Sequence, residues 1–346
     1  MTNSTFAQRA VKKIVGGAAT RRGALAATGL LASLAFGAFA DRPASAATSY
    51  PNHPVTIVIP FAAGGSADVY ARLLAPLLQK ELGQPFVVED RPGAGSLIGT
   101  ESVKVSRPDG YTLLLISNTH TVNETLYAHK PFKLMRDFAP ISPINSAALV
   151  LVTKPTLGAK TVGDIIKMAK AKPGALTFAS SGYGTPYHMA GELFKQMAGI
   201  NMLHVPYKGS NGARMDVIGG HVDMMFDAVT TMAPLIKSGK VTGIATTGAT
   251  RSKTLPELPT VAETVPGYQA VIWLGLVAPK GTPAAVVDKL NAALTKILKR
   301  PDVQASWEKQ GATPVTMSPA RFTSFLKGDI KKWAKVVKVS GAKVGQ

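Results

Sequence analysis

The chain has 346 residues, enough for two domains, and it contains no cysteine, which excludes disulfides, thiol catalysis and cysteine-ligated metals. Its formal net charge is +19, but the basic residues are scattered and form no stripe with interleaved aromatic side chains, so we do not expect nucleic-acid binding. A diffuse positive charge favours small anionic ligands or an anionic membrane surface.

The first 46 residues have the pattern of a secretory signal peptide. Basic residues precede an uncharged run over residues 23–40, and Ala44-Ser45-Ala46 is a small-residue cleavage motif. Arg21-Arg22 resembles part of a twin-arginine signal. We expect export to the periplasm with cleavage near Ala46; a membrane anchor is the alternative. Residues 1–46 contain six basic residues and one acidic residue, so the remaining chain has a net charge of about +14.

Residues 55–82 predict a strand, a glycine loop and a helix. The apolar run at 55–59 predicts a buried strand, a loop of small residues follows at 61–66, and amphipathic periodicity predicts a helix over 67–82 that ends at Gly83. This geometry directs backbone N–H groups and the positive end of a helix dipole at the space over the loop, where a phosphate or carboxylate binds well. The alternative is a turn that only packs. The spacing matches neither a P-loop nor a dinucleotide-binding fingerprint, and the match to a serine nucleophile elbow is incomplete.

Two more strands are predicted at 86–89 and 111–116, with a short helix around 99–105 between them. Alternating strands and helices predict an α/β fold with a mostly parallel sheet. Residues 117–123 are expected to form a loop after the third strand. Because ligands in open α/β sheets lie beyond the carboxyl ends of strands, Asn118 and Thr119 are expected beside the first glycine loop.

A second α/β series repeats this pattern from about residue 148. A strand predicted at 176–179 leads into a loop rich in hydroxyl groups, and Thr185 is the expected N-cap of a helix whose first residue is Pro186. A second helix N-terminus therefore lies over a second small loop. Asp227 is the last residue of a later predicted strand, where it either contacts a ligand ammonium or closes a turn.

The remaining elements follow from the same periodicities and capping signals. They are strands at 148–152, 203–207, 222–227, 241–247 and 268–278, two helices with Thr161 and Ser210 as their expected N-caps, and two helices that begin at Thr282-Pro283 and Ser318-Pro319.

No catalytic set is visible in the sequence. The serines of the two loops lack a clear base and orienting group, and the six histidines lack metal-ligand spacing, so we predict no catalytic residue, no metal and no cofactor. The two loops instead predict a cleft that binds an anion from both sides through backbone N–H and hydroxyl groups.

Five motifs occur in order along the chain: PVTIVIPF at 54–61, VVEDRPGAG at 87–95, PDGYTLL at 108–114, SGYGT at 181–185 and HVPYKG at 204–209. Together they resemble the Bug family, the periplasmic substrate-binding proteins of tripartite tricarboxylate transporters. The resemblance implies a two-lobed Venus-flytrap protein that binds a small carboxylate and delivers it to membrane transporter subunits. A non-enzymatic monomer is expected. The alternatives are an exported receptor that signals to a sensor partner and an exported hydrolase.

The resemblance also implies the lobes and the binding residues. The first lobe should comprise residues 47–148 plus 271–346, and the second should comprise residues 149–270. The predicted ligand-binding residues are Phe61, Ala62, Gly64, Gly65 and Ser66 in the first loop, Ser180, Ser181, Gly182 and Thr185 in the second, and Asn118, Thr119 and Asp227.

Overall fold

The computed structural model describes residues 50–340. The predicted signal peptide and its cleavage site near Ala46 lie outside these described residues. Within residues 50–340, no helix combines the length and the hydrophobicity that crossing a membrane requires.

Strands and helices alternate along the described chain, which confirms the α/β class. The strands are β1 (Val55–Ile59), β2 (Phe86–Asp90), β3 (Thr112–Ser117), β4 (Phe138–Thr153), β5 (Thr177–Ser180), β6 (Leu203–Pro206), β7 (Met224–Ala228), β8 (Thr242–Thr246), β9 (Val271–Pro279) and β10 (Ala312–Pro314). The α-helices are α1 (Ser66–Leu82), α2 (Leu97–Lys104), α3 (Asn118–Leu126), α4 (Leu134–Asp137), α5 (Val162–Ala171), α6 (Pro186–Ala198), α7 (Ser210–Ile218), α8 (Val229–Lys237), α9 (Ala284–Leu298), α10 (Pro301–Lys309) and α11 (Pro319–Ser340).

The strands follow the order β2-β1-β3-β9-β4-β7-β5-β6, with β8 and β10 also paired to β4. Strand β1 is parallel to β2 and β3, and β5 is parallel to β6 and β7. Strand β9 is antiparallel to both β3 and β4, and β4 is antiparallel to β7 and β8. The expectation of mostly parallel pairing is therefore wrong, because the long strands β4 and β9 lie between the two parallel groups and each pairs antiparallel with its neighbours.

Strand β4 is much longer than the predicted strand at 148–152. Its first part pairs with β9 from Phe138 to Ala148, and its last part pairs with β7 from Leu149 to Thr153. Pro140 and Pro143 hide the first part in the sequence, because proline lacks the N–H that a strand interior uses. The register with β9 shifts beside both prolines, and such irregularities accommodate the missing donors.

Several predicted helix ends are confirmed. Helix α1 ends at Gly83, which has the left-handed φ of 79°, Thr161 forms a capping box for α5, and Thr185 caps α6. The prediction for α7 was one residue late, since Gly209 is the N-cap and Ser210 is the first helical residue.

The predicted loop at 117–123 is wrong, because helix α3 begins there. Ser117 accepts a hydrogen bond from Thr119 N, and His120 Nδ1 accepts one from Ser117 N, which together form a capping box. Histidine is not the usual third residue of that motif, and threonine and asparagine are weak helix formers. The local sequence therefore gave little signal for this helix.

One hydrophobic cluster includes side chains of β1, β3, β4, β5, β9, α1, α6 and α9. Ile57, Ile59 and Phe178 within it are fully buried. The loops that follow β1 and β5 therefore start from rigid, fully packed strands, which fixes where the two loops lie.

Candidate functional site

A cavity of about 380 Å³ lies between the loops that follow β1 and β5. Its wall includes the first residues of α1, α3, α6 and α7, the turn at residues 93–96, and two side chains of β9. Small-molecule sites typically have volumes of roughly 300–1,000 Å³. The size is therefore suitable for a small organic ligand.

The first glycine loop directs the start of α1 at this cavity. Gly65 is the N-cap and has no side chain that could occupy the helix N–H groups, and Gly65, Ser66 and Ala67 line the cavity. Gly64 has a φ of 76°, and its N–H donates to Asp68 Oδ2 over 2.8 Å. Because the first N–H groups of a helix lack intrahelical partners, this end of α1 can donate to a ligand.

The second loop directs the start of α6 at the same cavity. Thr185 Oγ1 accepts from His188 N and donates to Gly182 O over 2.8 Å. Ser180 is fully buried, and its Oγ lies 2.7 Å from His204 Nε2. Ser181 and Gly182 line the cavity. The buried hydroxyl groups thus shape the loop, while Ser181 faces the ligand space.

Helix α3 contributes a buried hydroxyl group that has no partner. Ser117 and Thr119 line the cavity, Thr119 is fully buried, and its Oγ1 makes no hydrogen bond within residues 50–340. Buried polar groups are nearly always satisfied by protein, water or ligand. Thr119 Oγ1 is therefore a specific place for a polar atom of a ligand.

Side chains from distant parts of the chain connect the loops around the cavity. Ser66 Oγ lies 3.2 Å from Tyr187 OH at the start of α6. Asn211 Nδ2 donates to Ala63 O over 3.1 Å, and Arg214 Nη1 donates to Gly64 O over 3.2 Å. These contacts bring the first loop against α6 and α7 and enclose the cavity.

The charged side chains near the cavity are few. Among the described residues that line it, Lys208 is the one cation, and aspartate and glutamate are absent. Lys208 is exposed and forms no salt bridge within the described chain. The cavity wall therefore has a positive bias from the helix starts and this lysine.

The histidines and tyrosine around the site are neutral. Burial lowers the pKa of His120 to about 3 and that of His204 to about 4, and it lowers the pKa of His188 well below its usual value. Burial, together with the Asp227 carboxylate, raises the pKa of Tyr187 above its usual range. These groups supply hydrogen bonds and packing but no charge at neutral pH.

Most of the predicted site residues line the cavity. They are Phe61, Ala62, Gly65, Ser66, Thr119, Ser181, Gly182 and Thr185.

Four predicted residues are not part of the wall. Gly64 and Ser180 shape their own loops, as described above. Asn118 bonds to the backbone of β9, accepting from Trp273 N over 3.0 Å and donating to Val271 O over 3.2 Å. Asp227 is fully buried and accepts from Arg214 Nε and Ala228 N, each over 2.7 Å.

Several residues of the wall were missed by the site prediction. They are the turn residues Gly93, Ala94, Gly95 and Ser96, the tyrosines Tyr127, Tyr183, Tyr187 and Tyr207, the segment Lys208, Gly209 and Ser210, and Ile272 and Leu274 of β9. The glycine-rich turn and the Tyr-Lys-Gly-Ser segment were visible in the sequence as loops. The β9 side chains gave no signal, since an apolar strand residue looks the same whether it faces a core or a cavity.

Comparisons with known proteins agree with this fold. The sequence profile of the tripartite tricarboxylate transporter family receptor, TctC, matches residues 70–342. The chain is 39% identical to protein BugT of Bordetella pertussis over 305 residues, which is 87% of this chain and 93% of BugT.

Solved structures are similar over most of the chain. The structure of R. palustris Rpa4515 with adipate has a TM-score of 0.82 and 33% identity, and the match covers 85% of this chain and 100% of that one. The structure of MatC (Rpa3494) from Rhodopseudomonas palustris with bound malate has a TM-score of 0.78 and 29% identity, over 83% of this chain and 100% of that one. The resemblance to the Bug family is confirmed, and the chain belongs to the tripartite tricarboxylate transporter receptor family, whose members are periplasmic solute-binding proteins.

Proposed function

We propose that this protein is a periplasmic receptor that binds a small carboxylate between two lobes and delivers it to the membrane subunits of a tripartite tricarboxylate transporter. The observation that carries this proposal is the convergence of four helix N-termini, those of α1, α3, α6 and α7, on one cavity. The described residues of its wall include a lysine and no acidic side chain. Homologous structures contain adipate and malate, which are both carboxylates.

In this proposal, both glycine loops form hydrogen bonds to the ligand carboxylate. Backbone N–H groups at Gly65 and Ser66 bind the carboxylate from one side, and Ser181, Gly182 and Thr185 bind it from the other. A hydrogen bond to a charged group contributes about 1.5–3 kcal/mol, and a helix N-terminus adds about 0.3–1 kcal/mol. A carboxylate can therefore be bound tightly here without an arginine in the wall.

The proposed lobes are residues 47–148 plus 271–346 and residues 149–270. The pairing of β4 supports these boundaries, because its partner changes from β9 to β7 between Ala148 and Leu149. The return of the chain through β9, which begins at Val271, supports the second boundary. Opening of the lobes would separate the first loop from Asn211, Arg214 and Tyr187.

Export by a cleaved signal peptide and a monomeric state are part of the same proposal. Export is expected to use the signal peptide predicted over residues 1–46, with cleavage near Ala46, and the receptor is expected to act as a monomer. The periplasmic character of the family's members supports this location.

The cavity supports binding in preference to hydrolysis. Ser180 has a histidine partner, but its side chain is fully buried and lies outside the cavity wall. Ser66 is in the wall, but its hydroxyl partner is Tyr187, whose raised pKa keeps the phenol protonated at neutral pH, so it cannot accept the serine proton. Neither serine therefore has the exposed nucleophile and base that acyl transfer requires.

The test is a thermal-shift screen of the protein purified from the periplasm, after unfolding and refolding to remove any bound ligand. The panel contains monocarboxylates, dicarboxylates, tricarboxylates, aromatic carboxylates and, as controls, uncharged amides of the same skeletons. A ligand at 100 times its Kd stabilises by about 2.7 kcal/mol, which raises Tm by several degrees. A shift with an acid and none with its amide, with the acid recovered unchanged, is the expected result. No shift with any carboxylate would contradict the proposal.

A further inference from the structure

Helix α11 has a continuous basic face, which lies apart from the cavity. All the basic side chains of the helix are exposed, and they are Arg321, Lys327, Lys331, Lys332, Lys335 and Lys338. At about 100° per residue, these side chains fall within an arc of about 140° around the helix axis. The basic face is about 25 Å long from Arg321 to Lys338, because a helix rises about 1.5 Å per residue.

Packing on the opposite side of α11 keeps the basic face turned to solvent. Phe322 and Trp333 are buried on that opposite side. Asp329, the acidic residue of this helix, is also there, and its Oδ2 accepts from Thr121 Oγ1 over 2.6 Å and from Trp273 Nε1 over 3.2 Å. The one acidic side chain of α11 is therefore bonded to the interior and is not part of the basic face.

The charge of the basic face is not neutralised by ion pairs. None of its six side chains forms a salt bridge within residues 50–340, whereas six of the eight arginines in that range do. Residues 50–340 contain 32 basic and 19 acidic residues, of which α11 contributes six and one. Five of the 13 net positive charges are therefore concentrated on one helix of 22 residues.

The composition of the basic face fits an anionic phospholipid surface better than a protein partner. Specific protein interfaces are enriched in aromatic side chains and arginine and depleted in lysine. Five of the six cations here are lysines, and the aromatic side chains of α11 are buried or partly buried against the fold. Lysines attract anionic headgroups without a fixed geometry, and each one near such a surface strengthens binding about fivefold.

We propose that the basic face of α11 holds the receptor electrostatically against an anionic phospholipid surface. This inference goes beyond the proposed function, which needs the cavity and the transporter subunits only. The apolar side of α11 packs into the protein, and Val339 is the large apolar side chain that the described part of the helix exposes. Binding is therefore electrostatic and involves no insertion of the helix. A receptor held on the bilayer searches for its transporter across a surface instead of through a volume.

The test is co-sedimentation with vesicles of the protein purified from the periplasm without an affinity tag. One set of vesicles contains phosphatidylcholine alone, and the other contains equal parts of phosphatidylcholine and phosphatidylglycerol. At an ionic strength of about 0.01 M, where the Debye length is about 30 Å, we expect binding to the anionic vesicles and none to the neutral ones. At about 1 M, where the Debye length is about 3 Å, the bound fraction should disappear.

A triple variant, Lys327→Gln with Lys331→Gln and Lys335→Gln, removes half of the basic face. We expect its affinity for the anionic vesicles to fall roughly 100-fold at low ionic strength, at about fivefold for each lysine.

The matched control is a second triple variant, Lys170→Gln with Lys172→Gln and Lys240→Gln. These three lysines are exposed, form no salt bridge within residues 50–340 and lie outside α11. The control loses the same charge, and we expect it to bind anionic vesicles nearly as wild type does.

Two further measurements show that the variants are intact. None of the six substituted lysines lies in the core or in the cavity wall. Both triple variants should therefore have the Tm of wild type and the same thermal shift with a carboxylate. A loss of vesicle binding in the α11 variant is then due neither to unfolding nor to damage at the ligand site.

Three results would overturn the inference. They are absence of wild-type binding to anionic vesicles at low ionic strength, equal binding to neutral vesicles, and equal losses in the two triple variants. The first of these, followed by binding of an acidic protein surface to the same face, would assign the face to a protein partner. All three leave the proposed function standing, because that function is tested by carboxylate binding.

Discussion

The two glycine loops of the cavity have the same local design but are stabilised in different ways. The loop after β5 is shaped by its own residues, with Ser180 and Thr185 bonded within the loop and Thr185 capping α6. The loop after β1 has no side-chain cap, and its carbonyl groups accept from Asn211 and Arg214, which lie 148 and 150 residues further along the chain. The second loop is therefore supported by its own residues and by neighbouring β6, whereas the first, besides its internal bond to Asp68, also accepts hydrogen bonds from α7.

This difference indicates that the two loops have different roles in ligand binding. A loop that is complete by itself can present Ser181 and the start of α6 to a ligand before closure. A loop that needs Arg214 and Asn211 reaches its final shape only when the two parts of the fold meet. For the lobes proposed above, ligand affinity and closure are expected to be coupled through the first loop.

The largest expected effect comes from removing the long-range support of the first loop. Arg214→Leu leaves Asp227, which is fully buried, without its cationic partner, so we expect the free energy of unfolding to fall by about 3–5 kcal/mol in urea titrations. The matched control is Arg251→Leu, because the Arg251–Glu263 pair is exposed, and its midpoint should not change measurably. Equal midpoint shifts in the two variants would show that the buried pair contributes no more than a surface pair.

His204, which contacts Ser180 of the second loop, is expected to make the free energy of unfolding depend on pH. Because burial lowers the pKa of His204 to about 4, the unfolded chain takes up a proton below its ordinary pKa of about 6.5 while the native histidine stays neutral. The free energy of unfolding should therefore decrease as pH falls from 6.5 to 4, by up to about 1.4 kcal/mol per pH unit for this histidine. His204→Gln should reduce that slope. A slope unaffected by His204→Gln would contradict this origin.

A smaller effect is expected at Thr119, which lies between the two loops in the wall. Thr119→Val removes a buried hydroxyl that has no partner among the described residues, so stability should stay level or rise slightly. Affinity for the carboxylate should fall by about 1.5–3 kcal/mol, because a hydrogen bond to a charged group is lost. Thr153→Val is the control, since its hydroxyl is equally buried and unpartnered but outside the wall. Unchanged affinity in Thr119→Val would remove this residue from the site.

The smallest change in stability is expected from adding a side-chain N-cap to α1, which lacks the kind of cap that Thr185 provides for α6. A Cβ at Gly65 would lie 3.5 Å from Ala62 O, so the substitution fits. Gly65→Ser should stabilise α1 by a few tenths of a kcal/mol, because the new hydroxyl caps the helix. It should also weaken ligand binding, because the hydroxyl competes for the same N–H groups. Gly65→Ala is the control, with the added carbon but no cap; equal affinities in the two variants would contradict the competition.

Local features of the fold could be predicted because they depend on neighbouring residues. Gly83, Thr161 and Thr185 mark helix ends by chemistry that acts over three or four positions. The loop after β1 and the loop after β5 were recognised as cavity-facing for the same reason. The capping box of α3 was missed because His120 replaces the usual glutamate.

The missed features depend on residues that are distant in sequence. Arg214 pairs with Asp227 and reaches Gly64 O only in the folded chain, so the sequence offered Asp227 as a ligand contact when it is a buried partner. Ile272 and Leu274 form part of the wall because β9 lies between β3 and β4, which is a property of the topology. Prolines at 140 and 143 concealed the strand that joins the two parts of the sheet.

Calorimetric titration of two single variants tests whether both loops bind the same carboxylate. The titrant is the acid that gives the largest thermal shift, and the proteins are refolded wild type, Gly65→Ser in the first loop and Ser181→Ala in the second. We predict one binding site per chain, with each variant weakened and Ser181→Ala losing about 1–3 kcal/mol. Full wild-type affinity in either variant would show that the ligand contacts one loop only and would contradict the account.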